Sequence, residues 1–115
     1  MSIRSIQLTI PNGSAASKWV SAKDMSDHGS LALVGVATPG TVDAVTLAIE
    51  YSIDGGTTAL TCVGSDGTAK SITQTANDYI VLSPAEYPVI PGHFRLVSSG
   101  NVGADRVYTI VGRDV

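Results

Sequence analysis

Short apolar runs that alternate with polar residues, each closed by a turn signal, most constrain this chain. Ile6, Leu8 and Ile10 alternate with Ser5, Gln7 and Thr9. A period of two puts one side of such a run in a core and the other in water. Pro11-Asn12-Gly13 closes this run, because proline lacks the ladder N–H and Asn-Gly favours a turn. Val45, Leu47, Ile49 and Tyr51 alternate with Thr46, Ala48, Glu50 and Ser52, the clearest strand in the sequence. Asp54-Gly55-Gly56 then supplies the positive φ of a tight connection. Phe94 and Leu96 face opposite to His93, Arg95 and Val97, and Val107 and Val111 opposite to Tyr108 and Ile110. Residues 31–37 are apolar on both faces, as in a central strand covered on both sides or lying near a subunit contact.

The remaining runs are shorter. Residues 18–22, 58–63, 69–73 and 79–82 read as strands, with Asp66-Gly67 as a second hairpin turn and 24–30 as a polar loop. β-Branched residues, Gly and Ser are abundant, and long helix formers are scarce. About eight strands at regular spacing predict an all-β fold, a single-domain antiparallel β-sandwich of the jelly-roll kind. A chain of 115 residues makes one domain, 1–115, with 1–13 serving as an edge strand or an N-terminal arm.

Charge narrows the function classes. Seven Lys and Arg against ten Asp and Glu give −3 at pH 7, so no basic excess exists to grip phosphates, and nucleic acid is not an expected partner. The single cysteine, Cys62, rules out an internal disulfide and reads as a small buried thiol. No apolar run approaches the ~20 residues that span a bilayer. The first residues lack the apolar core of a signal peptide, so no membrane partner and no classical secretion are expected.

Candidate chemistry is sparse. His28 and His93 are the usual bases, but no nucleophile elbow accompanies them, and both read as surface or loop residues. Asp24, Asp27 and His28 form the nearest approach to a ligand cluster. Asp54-Gly55-Gly56 and Asp66-Gly67 resemble pieces of calcium loops without their alternating carboxylates, so no metal and no cofactor is expected. Asn12-Gly13-Ser14 matches a glycosylation sequon but reads as a turn. Tyr51, Tyr79 and Phe94 occupy core-like strand positions, whereas Trp19, Tyr87 and Tyr108 are candidates for a sugar-stacking platform. Arg95, Arg106 and Arg113 fall in the last two strands, where they would form a modest basic strip. The first strand either pairs within its own sheet or reaches out to a neighbour's sheet edge. In the second case Ile6, Leu8 and Ile10 would be the assembly contacts, to a second subunit or to a larger shell.

Five segments, in order, resemble a family of small structural proteins of tailed bacteriophages. Residues 31–39 (LALVGVATP) are similar to its apolar LVGIVMP strand, and 45–57 (VTLAIEYSIDGGT) to its LTFQVSADGGT segment. Residues 78–87 (DYIVLSPAEY) resemble a strand followed by DPADF, 94–100 (FRLVSSG) a strand ending in RSG, and 104–113 (ADRVYTIVGR) the closing ADRTLTLVTR. The likeness spans roughly residues 17–113. It departs where Gly40-Thr41-Val42 lacks the family's usual Trp and where Asn101-Val102-Gly103 is short. What it implies is a non-enzymatic virion protein, made in the bacterial cytoplasm. It would be a head decoration or cement protein bound to the major capsid protein as a homo-oligomer, with a trimer favoured. A glycan-binding module, or a tail or head-completion component, is the competing expectation.

Overall fold

The computed structural model describes residues 3–25, 31–63, 66–83 and 92–114. Eight strands form: β1 (Ile3–Ile10), β2 (Val20–Ser21), β3 (Leu31–Ala37), β4 (Leu47–Ser52), β5 (Leu60–Thr61), β6 (Tyr79–Val81), β7 (His93–Ser98) and β8 (Arg106–Asp114). They make two four-stranded sheets, ordered β1-β8-β3-β6 and β2-β7-β4-β5, with every pairing antiparallel. The pairs β1–β8, β2–β7, β3–β6 and β4–β5 are the rungs of one long hairpin rolled onto itself, which is the jelly-roll topology. The chain alternates between sheets at nearly every connection, so both sheets contribute to the core between them.

Register shows why the alternating residues fold this way. In the first sheet Ile6 pairs with Ile110, Ile110 with Val36 and Val36 with Ile80, one apolar row across four strands. In the second, Tyr51 and Val20 both pair with Phe94, and Ile49 pairs with Leu96. These rows face each other and bury Leu8, Ile10, Leu31, Leu33, Val36, Leu47, Ile49, Phe94, Leu96, Tyr108 and Ile110 completely. A register shift between Leu33 and Gly35 lets β3 turn Leu31, Leu33 and Val36 all inward, which explains a run apolar on both faces. Its outward side is covered in part by Tyr79, whose ring lies where a Cβ on Gly35 would stand.

Several expectations need correction. The strand read over 58–63 shrinks to Leu60–Thr61, both exposed, and the return over 69–73 to isolated bridges at Ala69 and Ile72. The cause is local. Asp54 accepts from the Thr58 N–H at 2.8 Å and from the Ser52 hydroxyl at 2.7 Å, holding a wide loop ahead of β5. The strand read over 18–22 shortens to Val20–Ser21, and Ala22–Met25 forms one helical turn, an alternative open to the polar 24–30 stretch, with the Ser21 hydroxyl accepting from the Lys23 N–H at 3.3 Å as a cap. Residues 26–30, with Asp27 and His28, lie outside the described residues. Tyr79 is not core: it is 52% exposed. Tyr108, a candidate for an exposed platform residue, is fully buried and donates its hydroxyl proton to Gln74 Oε1 at 2.8 Å.

Candidate functional site

β1 is no projecting arm. All eight of its residues pair with β8, from Ile3 opposite Arg113 to Ile10 opposite Arg106. Leu8 and Ile10 are fully buried in the chain's own core, and Ile6 is half-buried against it. The contact expected through these three side chains is therefore directed inward in this fold, as the alternative of pairing within the sheet requires.

The opposite side of the same sheet faces water. Register places Ser5, Val111, Gly35 and Val81 in one outward row, and Gln7, Thr109, Ala37 and Tyr79 in the next. Thr9 with Val107, and Ile3 with Arg113, complete the face. Ile3, Tyr79, Val81 and Val107 are exposed large hydrophobics, with Val81 the most open at 75%. Arg113 is the one charged side chain on this face among the described strand residues. Uncharged small residues around four exposed apolar ones make a surface that is cheap to desolvate.

The outer face of the second sheet is different. Arg95 bonds Glu50 at 2.7 Å and sits 4.5 Å over the Trp19 ring. Trp19 is half-buried and packs edge-on against Gly56, where a Cβ would lie 2.8 Å from its Cδ1. An indole carrying a guanidinium is not an open stacking surface for a sugar. Beside it lies a shallow groove of about 430 Å³ lined by Ser14, Ala15, Ala16, Glu50, Arg95 and Val97. With Tyr108 in the core and Tyr87 outside the described residues, the three aromatics proposed from sequence form no platform among the described residues.

The basic strip does not form either. Arg95 is on the outer face of the second sheet, and Arg113 on the outer face of the first. Arg106 is turned to the sandwich end, where Asp43 Oδ1 accepts from its Nε at 2.7 Å. Asp43 Oδ2 also accepts from the Gly103 N–H at 3.0 Å, so this carboxylate ties two loops together. His93 faces outward beside Ser21 and Ser52. Cys62 is buried. Among the described residues no three His, Cys, Asp or Glu side chains converge as metal ligands would.

The perturbed carboxylates serve loops. Hydrogen bonds from Thr58 and Ser52 hold the Asp54 carboxyl at about 2, below its usual 3.8. Arg106, then the Gly103 N–H, lowers Asp43, and the Thr68 N–H lowers Asp66. A carboxyl whose pKa is depressed by folding stabilises the fold fully above its unfolded value and ceases to do so as pH falls through the folded value. The melting temperature should therefore hold steady down to about pH 4 and fall between about pH 4 and about pH 2. Asp54→Asn should melt lower at neutral pH and show a shallower acid limb. Calorimetry across that range checks both, and an unchanged acid limb would remove Asp54 as a contributor.

No family model, curated protein or solved structure matches the chain.

Proposed function

We propose that this protein is a non-enzymatic virion component that decorates the outside of a phage head and binds the major capsid protein through the outer face of the β1-β8-β3-β6 sheet. The observation that carries the reading is that face: four exposed hydrophobics, one charge, and a rigid sheet behind them. The ordered five-segment resemblance to tailed-phage structural proteins supplies the partner. A jelly roll is compatible with it, since capsid proteins use this fold, but so do lectins and metal-dependent enzymes.

The physical role follows from linkage. A molecule that binds the assembled shell and not its separated subunits stabilises the shell by mass action. Magnitudes then say how it must grip. Strands of eight, nine, seven and three residues, at about 3.3 Å per residue and about 4.8 Å apart, give a face of roughly 430 Å². A stable interface takes roughly 800 Å² from each partner. One copy on one site would thus bind weakly, and joined copies on a repetitive lattice would gain by avidity.

The test is co-sedimentation of purified protein with expanded heads that lack it. Saturable binding, at copy numbers matching a class of lattice symmetry sites, is the expected result. Absence of binding at concentrations of about 100 µM, weaker than any useful cement, would contradict the reading and favour a tail or connector location.

A further inference from the structure

Jelly rolls leave four strand edges open, and edges are hazards that folds usually blunt. Three of the four are blunted here by length: β6 has three residues, β2 and β5 two each. The fourth, β1, has eight. It carries no proline and no lysine, and its pairing with β8 runs without a register break. Its one charged side chain, Arg4, sits near one end against Asp114 at 3.4 Å. Among the described residues no backbone hydrogen bond joins residues 5–10 to any element other than β8. Beyond Arg4 this is a long edge without charge, in a fold whose other described edges are short.

We infer that β1 is a homodimerisation edge, pairing antiparallel with β1 of a second copy across a two-fold axis at Gln7. The side chains choose a second copy over an unrelated strand. For an antiparallel two-fold pair that keeps core side facing core side, centring on Gln7 sets Gln7 opposite Gln7, Ser5 opposite Thr9, and Ile6 opposite Leu8. A carboxamide is both donor and acceptor, and so is a hydroxyl, so each outward row is its own complement. An edge lined with carboxylates or ammonium groups would repel itself at every one of these positions. The half-buried Ile6 would lose its remaining exposure. The contact also makes one eight-stranded sheet, whose outward face doubles to roughly 860 Å², close to the roughly 800 Å² a stable interface needs from one side. An isologous contact of this kind closes at two copies.

This inference concerns self-association and stands apart from capsid binding, so either can fail alone. Sedimentation equilibrium of the full chain should give twice the 11.8 kDa chain mass. Ser5, Gln7 and Thr9 are exposed, so changing them leaves the core intact. The triple variant Ser5→Lys, Gln7→Lys, Thr9→Lys opposes lysine to lysine in every outward row. It should stay folded by circular dichroism and weaken dimerisation on the order of a hundredfold. The matching triple glutamate variant should behave the same alone and form a mixed dimer with the lysine variant. Amides of residues 5–9 should exchange more slowly in the dimer than in the diluted monomer. A wild-type monomer at about 100 µM, a trimer, or a dimer indifferent to the lysine variant would overturn the assignment.

Discussion

Leu8→Asp leaves no folded protein at neutral pH. Leu8 is completely buried, opposite Tyr108, itself completely buried. The substitution removes an apolar side chain whose burial is worth about 1.5–3 kcal/mol. It also places a carboxylate in the apolar core, opposite Tyr108 whose hydroxyl proton already goes to Gln74, at several kcal/mol even after relaxation. Together these reach the ~5–15 kcal/mol that holds an ordinary domain folded. Far-UV circular dichroism and amide shift dispersion read the result directly. Ile6→Asp, two residues earlier on the half-open side of the same strand, should keep a cooperative melting transition. A native spectrum for Leu8→Asp would mean that β1 does not belong to the core. The pair of variants therefore separates an integrated strand from a projecting arm more sharply than any binding assay.

Phe94→Ala should be the most damaging apolar truncation. Phe94 is fully buried, and register places it between Tyr51 of β4 and Val20 of β2. Emptying a site of this size costs about 3–5 kcal/mol, through lost transfer energy and the cavity left behind. For a domain of this length that lowers the melting temperature by about 20 °C. In urea the midpoint should drop while the slope stays constant, because the surface exposed on unfolding barely changes. A loss under about 1 kcal/mol would mean that the two sheets close over the gap, a softer core than rigid interdigitation allows.

Much of this fold is legible in the sequence, and the reason is periodicity. The alternation read over 5–10, 45–52, 93–97 and 107–111 turns up in strands β1, β4, β7 and β8. Turn chemistry is equally local: Gly13, Gly55, Gly56 and Gly67 all adopt positive φ, at the Asn-Gly and Asp-Gly signals. What cannot be read locally is what the other sheet does. Tyr79 looks like a core residue by alternation, yet its parity matches Ala37 and Gly35 on the outward side, and only the register reveals this. Tyr108 looks like an aromatic tip for the surface, yet Gln74, distant in sequence, supplies the polar partner that lets its hydroxyl be buried. Residues 58–63 have strand composition, but the loop fastened by Asp54 leaves room for only two ladder residues.

The same limit governs the site. Ile6, Leu8 and Ile10 stand out because they are apolar and terminal, and those properties suit a core strand as well as an arm. The outward residues of β1, which are polar and unremarkable in sequence, become interesting only beside Val107 of β8 and Tyr79 and Val81 of β6. No short motif carries such a surface, because its members meet through strand order alone. Arg95, Arg106 and Arg113 show the converse: neighbours in sequence, they end on three different surfaces.

The proposed role rests on docking of the outer face of the β1-β8-β3-β6 sheet on the capsid. The most direct measurement is a binding isotherm on expanded heads for wild type and for a double variant, Val81→Asp with Val107→Asp. Both positions are exposed, at 75% and 42%, so the double variant should keep its melting transition. Each carboxylate would have to be desolvated in the contact, and the account predicts that saturable binding is lost or weakened at least about a hundredfold. Wild-type affinity and stoichiometry in the folded double variant would contradict it.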